Sequence, residues 1–450
     1  MNSYALPAIA MVALLSACGS SVENLDQTGP DPQLPPVDQT LLPPMKIATP
    51  TPWNGDLPQV PQGFTVSALA TDLQVPRQIL VLPNGDILVA EGAGGGAPAL
   101  RPKDVIAGVI KSWGKTDVKG GNRITLLRDR DGDGKAEVRS TFISNLNAPY
   151  GLAFVDGNLY VANQDAVLQF PYTEGQTRIS APGTEIVKLP SRVNHHWTKA
   201  MAASPDGSRL YVGIGSNSNV GERGLAVEEE RAVIWEIDPE TGAHRTYTRG
   251  IRNPTALAFE PGTGQLWAVV NERDEIGADL PPDYLTAVRE GGFYGWPYSY
   301  WGQHVDPRVV PQQPDLVRRS LTPDYALGSH VAPLGLTFTT GGGFPAGYAQ
   351  GAFIGEHGSW NRQQLAGYKV VWVPFQNGRP AAMPRDFVTG FIDDNGQARG
   401  RPVGVTYDPL SNLLLIADDL SNTVWRVSPT NAVRRPAPEG AQSQAAPPSP

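Results

Sequence analysis

The sequence predicts an all-β protein, a six-bladed β-propeller, and three observations lead to this fold class. One phrase recurs six times, in which an apolar run, a short turn of Pro, Asp, Asn or Gly and a second apolar run follow each other. The runs are rich in Val, Ile, Leu and Tyr, which is typical of β-hairpins. The copies recur at roughly 45 to 80 residues without helical periodicity between them, as a radial array of four-stranded blades requires.

The six copies differ mainly in their turns, and in the fifth copy the turn has grown into a loop. They read PRQILVLPNGDILVAE from Pro76, PYGLAFVDGNLYVAN from Pro149, HWTKAMAASPDGSRLYVGIGS from His196, NPTALAFEPGTGQLWAVVNE from Asn253, APLGLTFTTGGGFPAGYAQGAFIGE from Ala332 and RPVGVTYDPLSNLLLIADD from Arg401. A propeller gathers one loop from each blade around a central mouth. We therefore expect functional residues beside the hairpins, in loops that converge on a central cofactor site.

The N-terminal residues predict export and lipidation. The only cysteine, Cys18, ends the stretch LeuLeuSerAlaCys, which resembles the lipobox of bacterial lipoproteins, so residues 1–17 are interpreted as a lipoprotein-type signal peptide. The first four residues carry no Lys or Arg, and a free cysteine in an uncleaved apolar tail stays open as the alternative. Lipid on Cys18 predicts a location on the periplasmic or cell-surface side of a bacterial membrane.

The rest of the chain divides by composition into three parts. Residues 18–60 are rich in Pro, Asp, Gln and Thr and are predicted to form a tether, because they bury too little apolar surface to offset their ordering entropy. Residues 61–430 form the propeller domain. Residues 431–450 are predicted to be a disordered tail. No apolar stretch long enough for a membrane-spanning helix occurs, so we expect membrane contact only through the lipid.

The net charge of −8 argues against nucleic acid and against a polybasic membrane surface as partners. A small neutral or anionic molecule is the expected ligand. The absence of a Cys-Xaa-Xaa-Cys-His motif excludes an attached c-type haem.

Two blade entrances carry residues that suit catalysis. His196 opens the third copy, where a neutral imidazole is a candidate general base, and His195 beside it leaves the register uncertain by one. Arg252 stands at the entrance of the fourth copy, as a fixed cation able to stabilise an oxyanion or bind a carboxylate. Residues 271–277, AsnGluArgAspGluIleGly, offer carboxylate and carbonyl oxygens suited to Ca²⁺; the alternative is a solvated acidic loop.

These strings together resemble one family. The segments RNPTALAFEP, LWAVVNERDEIG, LPPDYLTAV and GGFYGWPYSYWG, in this order, resemble the pyrroloquinoline-quinone (PQQ)-dependent sugar dehydrogenases of the soluble glucose and aldose type. The likeness is greatest to the L-sorbosone dehydrogenase branch and runs from about Phe64 to Val427. It implies an oxidoreductase that uses PQQ and Ca²⁺ to oxidise an aldose, a lactol or a sorbosone-type aldosulose. Electrons would pass from the quinone to an external acceptor, a cytochrome or a membrane quinone.

The resemblance also implies roles for individual residues. His196 matches the catalytic base, and Arg252 matches the arginine that assists at the quinone carbonyl. The predicted metal site comprises Glu272, Arg273, Asp274 and Glu275, although the Gly-Pro pair of the family's calcium loop is shortened here to Arg273 alone. The predicted cofactor contacts are Arg77, Gln78, Arg362, Arg399 and Arg401. A tricarboxylate quinone needs several cations around its rim, a metal that polarises the reactive carbonyl and a base that faces it, and this set offers candidates for all three.

Two rival functions remain open at this stage. Six-bladed propellers also include calcium-dependent lactonases, whose axial metal needs inward carboxylates or amides from different blades and no cationic rim. They also include non-catalytic binding scaffolds. A separate acidic motif, AspArgAspGlyAspGlyLys at 129–135 followed by Glu137, has either a structural Ca²⁺ or a plain charged turn as its interpretation. The loop 97–122 is expected to contribute to substrate specificity, with no helix after the glycines at 92–96.

Overall fold

The computed structural model describes residues 26–39, 45–115, 118–339 and 343–430. They form six antiparallel sheets arranged as blades, which confirms the predicted six-bladed β-propeller. The predicted signal peptide 1–17, Cys18 and the tail 431–450 lie outside the described residues.

Each blade is a four-stranded sheet whose first two strands are one of the six predicted hairpins. Blade 1 consists of Pro76–Val81, Ile87–Glu91, Arg123–Arg128 and Val138–Ile143. Blade 2 consists of Gly151–Val155, Asn158–Ala162, Ala166–Pro171 and Thr184–Lys188. Blade 3 consists of Met201–Ala203, Leu210–Ile214, Val233–Ile237 and His244–Arg249.

Blades 4 and 5 carry additional short strands, and blade 6 draws on both ends of the propeller domain. Blade 4 consists of Pro254–Phe259, Leu266–Val270, Pro282–Ala287 and Tyr325–Ser329, with Thr28–Gly29 at its edge. Blade 5 consists of Pro333–Phe338, Gly351–Glu356, Lys369–Gln376 and Arg385–Val388, with Arg379–Pro380 beside its third strand. Blade 6 consists of Pro402–Asp408, Leu413–Asp418, Thr423–Pro429 and Phe64–Ala70.

The ring is closed by pairing between distant parts of the chain. Phe64–Ala70 is the outer strand of blade 6 and pairs antiparallel with Thr423–Pro429. The inner strands of neighbouring blades contact each other around the axis and line an axial cavity of about 270 Å³. Adjacent blades pack face to face, as where the ring of Trp267 in blade 4 lies 5.1 Å from that of Phe375 in blade 5. Each blade therefore has apolar side chains on both faces of its sheet, because a neighbouring blade covers each face.

A helix interrupts blade 1, and the expectation that no helix follows the glycines at 92–96 was wrong. The helix Pro102–Trp113, called here the insert helix, lies between the second and third strands of blade 1. Its start is stabilised by Pro102 in the first turn and by Asp104, whose carboxylate accepts hydrogen bonds from the backbone N–H groups of Arg101 (2.9 Å) and Leu100 (3.2 Å). The other short elements are the helix Pro314–Arg319, the 3₁₀ turns Leu225–Glu228 and Ala346–Tyr348, and the strands Ser299–Tyr300 and His304–Val305. No helix among the residues described is long and apolar enough to cross a membrane.

The segment predicted as a tether differs from that expectation over its described residues, because it lies against the propeller. Thr28 and Gly29 pair with the last strand of blade 4. Further along, the backbone N–H groups of Asp38, Lys46 and Thr51 donate to the carbonyls of Ile276, Trp360 and Ala398 at 2.8–3.0 Å. The segment also joins a hydrophobic core cluster, since Ala48 is buried in it and the ring of Trp53 packs edge to face against Phe391 and Trp425.

Candidate active site

Four of the predicted residues meet at one face of the propeller. In each blade the inner strand begins, and the second strand ends, at the same edge of the sheet. Arg77 and Arg401 lie at the starts of the inner strands of blades 1 and 6, and His196 and Arg252 precede those of blades 3 and 4. This face, which we call the mouth, is the one the sequence predicts for the site.

The ring of His196 is held in one tautomer. Its Nδ1 lies 2.8 Å from the carbonyl oxygen of Ser216 and 3.0 Å from the Ser216 hydroxyl. The hydroxyl itself donates to the carbonyl of Ser218 at 2.6 Å. Because a carbonyl only accepts, Nδ1 carries the proton and donates it to Ser216, which leaves Nε2 with a lone pair.

Both histidines of the third blade entrance are held neutral. Burial, followed by the charge of Arg252, holds the pKa of His196 well below the ordinary value of 6.5. His195 keeps an accessible edge, but the surrounding protein and then Arg252 lower its pKa to about 4. The two rings lie edge to face, with centroids 4.7 Å apart. Of the two, His196 has the ring orientation fixed by hydrogen bonds.

Two buried basic residues, which no sequence motif indicates, support the histidine loop. Arg231 donates to the carbonyl oxygens of Gly215 at 2.6 Å and of His196 at 2.8 Å. Lys199 donates to the side-chain oxygen of Asn194 at 3.0 Å and to the carbonyl of Trp197 at 2.8 Å. Neither residue lies in a recognisable motif, and their contacts depend on chain segments that only the fold brings together.

Arg252 is buried, with 3% of its surface exposed, and its guanidinium is surrounded by oxygens. Its nitrogens donate to the carbonyl of Asn219 at 3.1 Å, the side-chain oxygen of Asn219 at 3.0 Å, the carbonyl of Asn271 at 3.1 Å and the carbonyl of Glu272 at 2.6 Å. All four acceptors are uncharged. Burial lowers the pKa of Arg252, although nearby Asp274 and Glu272 oppose this effect.

Glu272 and Arg273 form a buried ion pair in the acidic loop. The Nε of Arg273 donates to Oε2 of Glu272 at 2.9 Å, and its Nη1 lies 3.3 Å from the carboxylate of Asp306. The side chain of Arg273 is fully buried and also donates to the carbonyls of Pro297 at 2.9 Å and Ser299 at 2.7 Å. Of the two carboxylate oxygens of Glu272, Oε2 is bound by Arg273, and the buried Oε1 has no hydrogen-bond partner among the described residues.

The next two acids face elsewhere. The carboxylate of Asp274 accepts from the side-chain amide of Asn361 at 2.7 Å, and its backbone carbonyl accepts from Arg308 at 2.8 Å. Glu275 pairs with Lys103 at 2.7 Å and with Arg101 at 3.4 Å. The structure therefore does not bring the four predicted metal residues together through their side chains.

These partners do not fit a calcium ion bound by residues 272–275. The Glu272 carboxylate shares one oxygen with a fixed cation, and the backbone carbonyls of Asn271 and Glu272 already accept from Arg252. In the described part of the chain, the one group of carboxylates whose oxygens lie together is Asp129, Asp131, Asp133 and Glu137. That group is at the opposite edge of blade 1, in the turn after its third strand.

Asp419 organises the cations at the blade 1 and blade 6 entrances. It accepts from Arg77 at 2.8 Å, from Arg401 at 3.0 Å and from Nε2 of His357 at 3.1 Å. Arg401, His357 and Arg77 hold the pKa of Asp419 far below its usual range, despite its burial. Arg77 also lies over the ring of Trp197, 5.4 Å from its centroid.

The other predicted cofactor contacts lie apart from this group. Arg362 donates to Asp279 at 2.5 Å and to the carbonyl of Ser329 at 3.0 Å. Arg399 pairs with Asp56 of the N-terminal segment at 3.1 Å and lies over the ring of Trp53. Gln78 donates to the carbonyl of Leu334 at 2.9 Å and lines the axial cavity.

The insert helix lies over the mouth and joins several blades. At its start Arg101 and Lys103 pair with Glu275 of blade 4, and just past its end the carbonyl of Gly114 accepts from Arg401 at 2.9 Å. Between them, Lys111 places its Nζ 3.7 Å from the ring centroid of Trp360 in blade 5. Burial lowers the pKa of Lys111, and the field of Asp274 opposes this shift. The sequence signal that could have revealed this helix is Pro102 followed by Asp104.

The mouth fits an anionic, planar quinone. Arg77, Lys111, Arg252 and Arg401 all reach it, and Asp419 is the carboxylate that pairs with two of them. The indoles of Trp197 and Trp360 offer flat apolar surfaces beside these cations. Cations together with aromatic faces are the chemistry that a tricarboxylate ring system requires.

Sequence comparison matches most of the propeller to one family. The TrAA12-like family model matches residues 58–284 and 315–430. An uncharacterised protein of Borreliella burgdorferi is 28% identical over 299 residues, which are 64% of this chain and 77% of that protein. An aldose sugar dehydrogenase of Escherichia coli is 28% identical over 194 residues, 43% of this chain and 46% of that protein.

Solved structures share the fold. A carbohydrate-active enzyme of family AA12 from Trichoderma reesei superposes with a TM-score of 0.68 at 20% identity, covering 87% of this chain and 100% of that one. The holo form of the PQQ domain of pyranose dehydrogenase from Coprinopsis cinerea superposes with a TM-score of 0.67 at 19% identity, covering 83% and 97%. The family model spans most of the six blades together with the strand that closes the ring, and this chain therefore belongs to the TrAA12-like family.

Proposed function

We propose that this protein is a PQQ-dependent sugar dehydrogenase that oxidises an aldose, a lactol or a sorbosone-type aldosulose. The observation that carries the proposal is the fixed tautomer of His196 within a mouth rich in cations. The relatives named as an aldose sugar dehydrogenase and a PQQ-containing pyranose dehydrogenase support the same reaction class. The L-sorbosone branch of this class is part of the proposal and rests on the sequence resemblance.

His196 is the proposed base. When bound, PQQ supplies the two-electron acceptor that takes hydrogen as hydride from the sugar carbon. Nε2 of His196 takes the proton of the hydroxyl on that carbon, and the O–H electron pair forms the new C=O bond. The neutral state of His196 near pH 7 keeps this nitrogen ready to accept a proton.

The residues around His196 supply positive charge for the cofactor and hold the base in position. Arg77 and Arg401, held by Asp419, and Lys111 on the insert helix are placed to bind carboxylates of the cofactor. Arg231 is a positioning residue, because it donates to the backbone carbonyls of His196 and Gly215 and so fixes the loop that carries the base.

A calcium-dependent lactonase is less well supported by the same geometry. Its metal would need inward carboxylates or amides that converge on the axis without a cationic rim, whereas Arg77, Arg401 and Lys111 lie around this mouth. At the mouth Glu272, Asp274 and Glu275 each face a different partner, and Asp419 is shared by two arginines. The proposed cellular setting, a periplasmic or cell-surface lipoprotein anchored through Cys18 and donating electrons to a cytochrome or membrane quinone, rests on the sequence alone.

The proposal is tested by reconstitution. The purified protein is loaded with PQQ, and dye reduction is followed with a panel of aldoses and with sorbosone. We expect His196→Ala to lower kcat/KM by about 10³-fold while PQQ binding, measured by calorimetry, is retained. His195→Ala is the matched control and should keep activity within about tenfold of the original protein, since its ring lacks the bond that fixes the tautomer. Absence of PQQ binding, or dye reduction that survives in His196→Ala, would contradict the proposal.

A further inference from the structure

The oxygens around Arg252 are arranged as in a cation site, and the guanidinium of Arg252 occupies the position of the cation. Two segments supply them, since Asn219 gives its carbonyl and its side-chain oxygen, and the acidic loop gives the carbonyls of Asn271 and Glu272. All four lie 2.6–3.1 Å from guanidinium nitrogens. The guanidinium is buried, so these bonds are its main solvation.

Asn219 locks the two segments together around this cation. Its side-chain oxygen also accepts from the backbone N–H of Asp274 at 2.8 Å, and its amide donates to the Asp274 carbonyl at 3.0 Å. The indole of Trp296 donates to the Asn219 carbonyl at 2.9 Å. The oxygens are thus oriented toward Arg252 by contacts on their far side, and the arrangement does not depend on the arginine alone.

The acidic side chains of the loop also have protein partners, with the exception of the buried Oε1 of Glu272, which has none among the described residues. Glu272 pairs with Arg273, and Asp274 accepts from Asn361. A divalent ion bound to Oε1 of Glu272 would share this carboxylate with Arg273, and it would have to compete with Arg252 for the neutral carbonyl oxygens of Asn271 and Glu272. It would also lie close to two fixed positive charges.

We infer that the guanidinium of Arg252 takes the cation position of this loop, so that the protein binds its quinone cofactor without Ca²⁺. The inference rests on the proposed PQQ-dependent function and changes one part of it. The positive charge beside the quinone would then come from an arginine that is always protonated, and cofactor binding would be insensitive to chelators.

The first test compares PQQ binding with and without calcium. The full-chain protein carries Asp131→Asn and Asp133→Asn, which remove the exposed carboxylate group as a competing calcium site. It is titrated with PQQ by calorimetry, once in EDTA and once in excess Ca²⁺. We expect the two dissociation constants to agree within about threefold, and a larger tightening by Ca²⁺ overturns the inference.

The second test removes the resident cation. In EDTA, Arg252→Ala should weaken PQQ binding by about tenfold or more, and Arg252→Lys should weaken it less because it keeps the charge. Unchanged affinity in Arg252→Ala overturns the inference. Circular dichroism checks that both variants fold. The first test uses protein that retains Arg252, so its result does not depend on the folding of these variants. Absence of PQQ binding in both buffers overturns the proposed function, whereas calcium-dependent binding overturns only the inference.

Discussion

In the acidic segment 129–137 four carboxylates face one another, whereas in the acidic segment 272–275 each carboxylate faces a different partner. The oxygens of Asp129, Asp131, Asp133 and Glu137 lie within 4.8 Å of one another, and three of these four residues are exposed. In the second segment Glu272 is buried against Arg273, and Glu275 is paired with Lys103.

The difference follows from the residues between the acids. In 129–137 glycines alternate with aspartates, so the loop turns tightly and its N–H groups donate to the acids, as Gly132 and Gly134 do to Asp129 at 2.7 and 2.8 Å. In 272–275 an arginine separates the acids. Its side chain is buried in the protein interior, where it pairs with the buried carboxylates of Glu272 and Asp306. The number of acidic residues in a loop therefore does not identify a metal site. The placement of the basic residues decides whether the carboxylates converge.

The largest expected effect comes from removing the buried arginine. Arg273→Met leaves the buried carboxylate of Glu272 without its cation and leaves Asp306 with Arg308 alone, and we expect a loss of about 3–5 kcal/mol in the free energy of unfolding. Arg130→Met in the exposed segment is the matched control and should change it by less than about 0.5 kcal/mol. Urea unfolding followed by tryptophan fluorescence measures both. Similar small losses in the two variants would show that the buried pairing contributes little.

The same contrast explains which features the sequence could reveal. The hairpins were predictable because alternating apolar runs and turn residues are local signals, and the convergence of His196, Arg252, Arg77 and Arg401 followed from propeller topology. The pairing of Arg273 with Asp306 spans 33 positions, and that of Lys103 with Glu275 spans 172. Contacts of this kind depend on how the loops pack, so the sequence indicated an acidic loop but not the partners of its carboxylates.

Glu356 is another buried acid, and its burial makes the free energy of unfolding depend on pH. Burial raises the pKa of Glu356 to about 8, from an ordinary value of 4.5, so the folded protein keeps a proton that the unfolded chain releases. Stability should therefore fall as pH rises through the window between these two values, and Glu356→Gln should remove this loss. We expect the variant to gain about 2 kcal/mol relative to the original protein between pH 5 and pH 8. Urea unfolding at both pH values measures it, and a difference that does not change with pH would contradict the assignment.

Burial of the proposed base predicts an activity profile. Since the pKa of His196 lies well below 6.5, the base stays neutral as pH falls through that value, and proton uptake abolishes activity only at lower pH. We expect kcat/KM at pH 5.5 to stay within about twofold of its value at pH 7.5, whereas an unshifted histidine would lose about tenfold. Dye-reduction rates across this range, with PQQ saturating at each pH, provide the measurement. A tenfold loss would mean that the base is solvated.

The smallest expected effect is at the exposed carboxylates. Asp131→Asn removes one of four like charges but keeps an oxygen that can accept from the backbone N–H of Asp133, a bond of 3.0 Å in the structure. In EDTA we therefore expect a slight gain in the free energy of unfolding, below about 0.5 kcal/mol, which decreases at high salt as the repulsion is screened.

The same two proteins distinguish the two interpretations of segment 129–137, a structural Ca²⁺ site and a charged turn. If it binds a structural Ca²⁺, added calcium raises the melting temperature of the original protein more than that of the variant, because ligand binding to the folded state adds stability in proportion to site occupancy. If it is a charged turn, calcium shifts both melting temperatures equally. A clear loss of stability for Asp131→Asn in EDTA would show that the segment, like residues 272–275, depends on charge pairing rather than on its backbone turns.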